Sequence, residues 1–480
     1  MSSALGNLPS SADYAALFPS FLVALVPLLI LFADLFFKSN GPLRRAVAVG
    51  IALIGLVAAG AVEASQYPQD YAAFGGAFVQ GGFSIVFSEV VIVATIATLL
   101  LSVGIGRDDQ VAGTTSLLLW SASGAMLMAG ASNLMIVFLG LELLSLALYC
   151  LCAMSTRQTA RESALKYLIL SSMASGFLLY GSALLFGATG SVAFSALAAA
   201  PTSPLLALGA GLFLVGLAFK LSLVPFHAWT PDVYEGAPLP VTAFMSVATK
   251  AGTLAVLARF AYAALPSDHA QAVLVPLWVL AALSMLVGNL AALAQTDMKR
   301  LLAYSGIAQV GYIVTALAGT SVLGLRYAIL YLAGYMFMNL GAFAVVALMA
   351  RDGDAVVALD RFAGLAHRRP WLAAAMTFFL IGLAGLPPTI GFTGKILILA
   401  ASVGAGYAWL AGVLILGTAI SAYVYFKIVR AMFVRVDPRH VRDERSRNAL
   451  PWVAVVVCAA ATFILGLIPL TPSNVLPLVK

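Results

Sequence analysis

Three lysines stand in sequence apolar enough to lie in a bilayer: Lys220 in LAFKLSLVPF, Lys250 in MSVATKAG and Lys395 in GFTGKILILA. A lysine at the centre of a membrane helix costs about 2.5–3.5 kcal/mol on insertion scales. Glu142 lies in the equally apolar run VFLGLELLSLALYC. His227 follows Lys220 after a proline. All five side chains titrate, and none belongs to a nucleophile–base motif. Burial disfavours a charged amine and a nearby carboxylate favours it. A buried lysine with an acidic partner on a neighbouring helix, Glu142 beside Lys220, can therefore take up and release protons. An imidazole passes protons in either direction near neutral pH. The chemistry expected from Glu142, Lys220, His227, Lys250 and Lys395 is proton transfer.

Proline marks how these groups are held. Pro225 follows Lys220, and Pro387 and Pro388 precede Lys395. Proline removes a backbone donor and breaks or kinks a helix. One helix thus reads lysine then break, the other break then lysine. Broken helices at membrane depth persist only where protein or water covers the freed backbone.

The rest of the chain is built to position such groups in a membrane. Of 480 residues, 62% are hydrophobic and 9% charged, against roughly 25% charged in soluble domains. Fourteen helical spans are expected, roughly at 15–37, 43–63, 83–105, 111–130, 132–153, 163–187, 204–225, 239–261, 270–294, 300–319, 322–349, 370–401, 405–434 and 450–470. Each is near the ~20 residues that cross the hydrocarbon. Spans 12 and 13 are long enough to include breaks. No basic segment precedes the first apolar run, so it is expected to be a retained helix with its N-terminus outside.

The net charge of +7 is explained by topology rather than by nucleic acid. With an outside N-terminus, the inside loops hold Lys38, Arg44 and Arg45; Arg107; Arg157, Arg161 and Lys166; Lys299 and Arg300; Arg351, Arg361, Arg368 and Arg369; and Lys427, Arg430, Arg435, Arg439, Arg442, Arg445 and Arg447. That asymmetry follows the positive-inside rule and puts both termini outside. The segment after span 7 is the exception. It carries His227, Asp232 and Glu235 without a basic residue, and is expected to be a structured cap over the broken helix.

Spans 7 and 12 are both broken and lie five spans apart, so they cross in opposite directions. This is the pattern of an inverted-topology repeat, spans 4–8 recurring as spans 9–13. The expected fold is an all-α polytopic membrane protein, with a three-helix segment (1–110), two five-helix units (111–262 and 263–435) and a C-terminal helix (436–480).

Other residues point to ordinary roles. Asp34 is expected to pair locally with Lys38, with contact to a partner subunit as the alternative. Glu89 lies near the outer end of span 3, within reach of water. Asp297, Lys299 and Arg300 read as capping and orientation. Cys150 and Cys152 point to different sides of one helix, and with Cys458 they suit neither a disulfide framework nor metal binding. No Gly-rich phosphate loop and no histidine pair for haem is present, so catalysis on an organic substrate is not expected of this chain alone.

Four stretches carry a wider resemblance: FKLSLVPFHAWTPDVYEGAP (219–238), ATKAG (248–252), TDMKRLLAYSGIAQVGY (296–312) and GLPPTIGFTGK (385–395). Together they resemble the antiporter-like subunits of respiratory complex I, and among these the N type, counterpart of mitochondrial NADH dehydrogenase subunit 2. Lys395, where M-type subunits typically have glutamate, and a short C-terminal end without the L-type lateral helix favour N. The resemblance implies that the chain translocates protons for NADH:quinone oxidoreductase. NADH, FMN, iron–sulfur clusters and quinone would then act in partner subunits, with no cofactor or metal in this chain. It implies that Glu142 and Lys220 form a charge pair, Lys250 a central relay, Lys395 the exit side and His227 part of the inside path. Expected partners are neighbouring membrane-arm subunits and lipid, in a bacterial inner membrane. Multisubunit sodium/proton antiporters share these features and are the competing implication.

Overall fold

Caps, glycines and prolines decide where the apolar runs stop. The computed structural model describes residues 10–37, 41–103, 108–155, 157–265, 270–318, 321–350, 357–434 and 450–467. Ser10 opens α1 (Ser11–Asp34) with a capping box: its hydroxyl accepts from the Asp13 N–H, and Asp13 accepts from the Ser10 N–H. There follow α2 (Gly41–Gln66), α3 (Gly82–Ser102), α4 (Val111–Gly130), α5 (Leu134–Ala153), α6 (Gln158–Thr189), α7 (Pro204–Leu221) and the short α8 (Trp229–Gly236). The second half comprises α9 (Leu239–Ala263), α10 (Ala270–Leu293), α11 (Met298–Ala316), α12 (Val322–Met349), α13 (Pro370–Ala384), α14 (Ile390–Gly404), α15 (Ala408–Val434) and α16 (Leu450–Leu467).

Among the described residues, 12 helices are long and apolar enough to cross a membrane. The more polar α11 and the broken pair α13–α14 supply the other two of the fourteen expected spans. The all-α polytopic class is therefore observed, with one addition. The connection between α2 and α3 folds as a hairpin of β1 (Tyr71–Ala73) and β2 (Phe78–Gln80). Gly75 and Gly76 turn it at positive φ, a conformation that costs glycine little.

The centre of the molecule is α9, buried along almost its whole length. It packs against α3, α4, α7 and α12. A helix that is apolar on every side has no solvent face and belongs inside a bundle.

A backbone crossing occurs twice. Asn133 caps α5 and bridges to Ala193, with Leu134 N–H donating to Val192 O (2.9 Å) and Phe194 N–H to Ser132 O (3.0 Å). Asp297 caps α11 and bridges to Ala358, with Met298 N–H donating to Val357 O (2.9 Å) and Leu359 N–H to Thr296 O (2.8 Å). In each case the strand that follows the next long helix, α6 or α12, seals the start of the capped helix.

Two local expectations change. The break in span 7 comes at Ser222, in the left-handed region with φ 63°, before Pro225. Asp34 pairs with Arg44 across the α1–α2 turn, through the guanidinium Nε and through NH2 at 2.6 Å, while its expected partner Lys38 lies outside the described residues. A planar fork matches a carboxylate better than a single ammonium does. Of the basic residues counted above, Lys38, Arg107, Arg351, Arg435, Arg439, Arg442, Arg445 and Arg447 lie outside the described residues.

Candidate proton-transfer site

The first lysine sits at the end of α7. Lys220 is 1% exposed, and its Nζ donates to Ser145 Oγ and Tyr167 OH, both at 2.8 Å. Tyr167 stacks on Trp229 with ring centroids 4.8 Å apart, and Trp229 Nε1 donates to Phe219 O at 2.9 Å. The aromatic pair thereby fixes the phenol and satisfies a carbonyl at the helix end. The break is sewn shut by protein: Ser222 and Thr230 hydroxyls meet at 2.5 Å, and Val224 N–H donates to Ser284 Oγ at 2.8 Å.

Glu142 lies one turn before Ser145 on α5. Its Oε1 accepts from Ser175 Oγ at 2.5 Å, and it is half-buried. The expected direct pair is not made: no Glu142–Lys220 contact within ion-pair distance occurs among the described residues. Ser145 and Tyr167 occupy the ammonium instead.

The second lysine, Lys250, lies midway along α9 and is 1% exposed. Its Nζ meets Tyr335 OH at 3.4 Å and lies 5.4 Å from the same ring's centroid. Tyr335 in turn donates to Ser246 O at 3.2 Å. Gly306 of α11 leaves room for the ammonium, since a Cβ there would stand 2.6 Å from Nζ. An ammonium has three donors, and this one has a single long contact.

The third lysine, Lys395, reaches back across the break between α13 and α14. Its Nζ donates to Leu383 O and Ala384 O, each at 3.1 Å, and lies 4.5 Å from the Tyr312 ring centroid. Gly385 ends α13 at φ 83°. Ser222 plays the same part at the end of α7. Lys220 is two residues before Ser222, and Leu383 is two residues before Gly385. Lys220 itself and the carbonyls that hold the Lys395 ammonium therefore both lie in the last turn of the first half-helix, although one lysine precedes its break and the other follows it. The partial negative charge of a helix C-terminus favours a cation there.

Between Lys250 and Lys395 runs a line of polar groups on α11: Ser305, Gln309 and Tyr312, with Gly306 leaving space at the Lys250 end. Tyr331 OH donates to Gln309 Oε1, and Gln309 Nε2 donates to Leu383 O at 3.1 Å, the carbonyl that also holds Lys395. Ser305 Oγ and Tyr425 OH meet at 2.5 Å. Hydroxyls, amides and amines in series can hand protons along if gaps are bridged by water.

The cap after α7 is where its acids find partners. Arg300 NH1 donates to Asp232 Oδ1 at 2.7 Å and Glu235 Oε2 at 2.9 Å, and Lys166 reaches Asp232 at 3.3 Å. Partial burial pushes the Asp232 carboxyl up, but hydrogen bonds and charge from Arg300 and Lys166 outweigh it and hold it below the usual carboxylate range. Lys299 is fully buried and donates to Ala237 O, at the end of α8, at 3.0 Å. The cap's missing basic residues are thus supplied by α6 and α11. His227 is half-buried beside Tyr304, ring centroids 6.5 Å apart, with Nδ1 unpartnered.

Residues 131–421 match the family described as NADH:quinone oxidoreductase/Mrp antiporter, TM. NADH-quinone oxidoreductase subunit N 1 of Symbiobacterium thermophilum is 41% identical over 483 residues, covering 96% of this chain and 97% of its own. The chain belongs to the subunit N family. Among solved structures, a chain of respiratory complex I from Thermus thermophilus with bound aureothin superposes with TM-score 0.79 at 36% identity, covering 93% of this chain and 97% of that one. A chain of the Mrp complex from Dietzia sp. shares the fold, with TM-score 0.80 at 22% identity over 95% of this chain and 94% of its own.

The residues of this subunit N family member that sequence reasoning passed over are the uncharged ones: Ser145, Tyr167, Ser305, Gln309, Tyr312, Tyr331 and Tyr335. A signal did exist for three of the α11 positions. Ser305, Gln309 and Tyr312 recur at helical spacing within an apolar span, which puts them on one face.

Proposed function

We propose that this chain is a proton-translocating subunit in the membrane arm of NADH:quinone oxidoreductase. Its partner subunits would carry NADH, FMN, iron–sulfur clusters and quinone and perform the redox chemistry. The observation that supports this most is the set of three fully buried ammonium groups, none facing a carboxylate, with the Lys250 and Lys395 ends linked through α11. Glu142, Lys220, Lys250 and Lys395 act as protonatable stations, and His227 with Tyr304 serves the inside approach. Ser145 and Tyr167 transmit between Glu142 and Lys220, so that movement of α5 against α6 changes what the first ammonium meets. The basic loop residues support a bacterial inner-membrane location with both termini outside.

Single Lys220→Met, Lys250→Met and Lys395→Met variants test this in assembled complex. Proton pumping coupled to quinone reduction is measured in sealed vesicles, with subunit content checked. Loss of pumping is expected in each. Unchanged pumping in all three refutes the relay. Sodium-dependent proton exchange by a preparation free of redox subunits would favour the antiporter instead.

A further inference from the structure

A second set of buried polar groups lies under the hairpin, between the end of α2 and the start of α3. Glu63 is fully buried. Its Oε1 accepts a hydrogen bond from Gln80 Nε2 at 3.0 Å, and its Oε2 has no partner. Gln80 closes β2, and its own Oε1 accepts from Ser84 Oγ at 3.2 Å. The amide is therefore held with its donor side toward Glu63. Ser88, one turn beyond Ser84, is 1% exposed and its Oγ has no in-line partner, yet it lies within reach of the Glu63 carboxyl. The next residue, Glu89, is half-buried and turns toward α2: a Cβ on Gly60 would stand 3.2 Å from its Oε1. Gly60 and Glu63 are one helical turn apart, so both carboxyls share one face of α2.

Among the described residues, no cation balances them: neither Glu63 nor Glu89 makes an ion pair or a hydrogen bond to a basic group. On the packed neighbours, Asp13 of α1 is bonded to Ser10 and to Phe74 N–H. Asp70, before the hairpin, lies against Gly81. Arg259 of α9 is committed to Gly130 O and Ser132 Oγ and lies over Phe83. On α12 the basic residue is Arg326, and α4 and α16 bring no charged side chain. Two carboxyls facing one another without a cation cannot both be ionised at low cost. A proton on Glu63 Oε2 makes that oxygen a donor, and the Ser88 hydroxyl within its reach can accept.

We propose that Glu63 and Glu89 form a proton-exchange site in which Glu63 is the buried acid, Glu89 its outward-facing partner, and Ser88 Oγ the group between them. Its ligand is a proton. The proton leaves the Glu63 Oε2 for the Glu89 carboxylate, and the pair exchanges it with water through Glu89. Gln80 ties the site to the hairpin, so the hairpin is its cover. The site shares no hydrogen bond with Lys220, Lys250 or Lys395.

The test uses the assembled complex in membranes. An apolar carbodiimide adds to carboxyl groups that carry a proton, and peptide mass mapping locates the adduct. Labelling is followed against pH in the unaltered complex and in Glu89→Gln, Ser88→Ala and Gly60→Ala variants. An adduct on Glu63 is expected near neutral pH. Its pH profile should move by about 1 pH unit or more in Glu89→Gln, the coupling that defines a shared proton. Gly60→Ala, which crowds Glu89 without removing it, should shift the profile too, and covers the case where Glu89→Gln does not assemble. Absence of the adduct, or a profile that no variant moves, overturns the proposal. The same labelling in the Lys250→Met complex separates this site from the lysine relay, since the adduct should persist there.

Discussion

Gly306→Ala offers a narrow way to disturb Lys250 without touching its charge. A methyl at that position would stand 2.6 Å from Nζ and 3.0 Å from Tyr335 OH. Ordinary carbon contacts lie near 3.5–4.0 Å, so the ammonium has to retreat by about 1 Å. Its one hydrogen bond is already 3.4 Å long and does not survive that shift. The obstructed atom is the end of a flexible side chain, so the helix packing of α9 on α11 should be kept. Overpacking of this kind costs about 1–3 kcal/mol. A misplacement of about 1 Å can cost on the order of 10²-fold where transfer depends on position. The assay is protons pumped per quinone reduced, in vesicles holding equal amounts of assembled complex. At least a tenfold loss is expected, and Gly306→Ala should cost nothing further in the Lys250→Met background. The control is Gly311→Ala, five residues further along α11 on another face, where a methyl would meet Ala281 O at 2.8 Å. That change should lower assembly while leaving pumping per assembled complex intact. Wild-type pumping in Gly306→Ala would refute the argument that the glycine exists to seat the ammonium.

Three further outcomes follow from the same geometry. Tyr167→Phe keeps the stack on Trp229 but removes one of the two acceptors of Lys220, and Ser145→Ala removes the other; each should cost about 1–3 kcal/mol at that site, read as a drop in pumping with normal subunit content. Gln309→Leu keeps the volume but severs Tyr331 from the Leu383 carbonyl, so pumping should fall while thermal stability changes little. Arg300→Ala should weaken the cap on the acid side. The folded Asp232 carboxyl lies below its ordinary value of 3.8, so its contribution is present above that value and is lost as pH falls through the lower folded one. In the variant, acid unfolding of the complex should begin at higher pH, and an unchanged acid limb would show that the cap does not depend on the pair.

The membrane architecture was legible because its cause is local. Apolar run length sets spans, and Pro225, Pro387 and Pro388 announced the two breaks. Lys220, Lys250, Lys395 and Glu142 stood out because a charge in such a run is costly wherever its neighbours lie. Even the repeat could be expected from two broken helices five spans apart.

What the order of residues does not contain is which groups meet. Lys220 and Glu142 are opposite charges on two helices that both pack on α6, yet the ammonium takes the hydroxyls of Ser145 and Tyr167 because packing of α5, α6 and α7 brings those nearer. Lys395 follows its break in sequence but returns across it, because a long flexible side chain can reach the free carbonyls of Leu383 and Ala384. Asp232 and Glu235 found their cations on α6 and α11, far away in the chain. Composition, periodicity and helix breakers determined that this protein spans a membrane and buries titratable groups there. The tertiary structure alone decided their partners, since hydrogen bonds act over about 3 Å and sequence separation says little about distance inside a bundle.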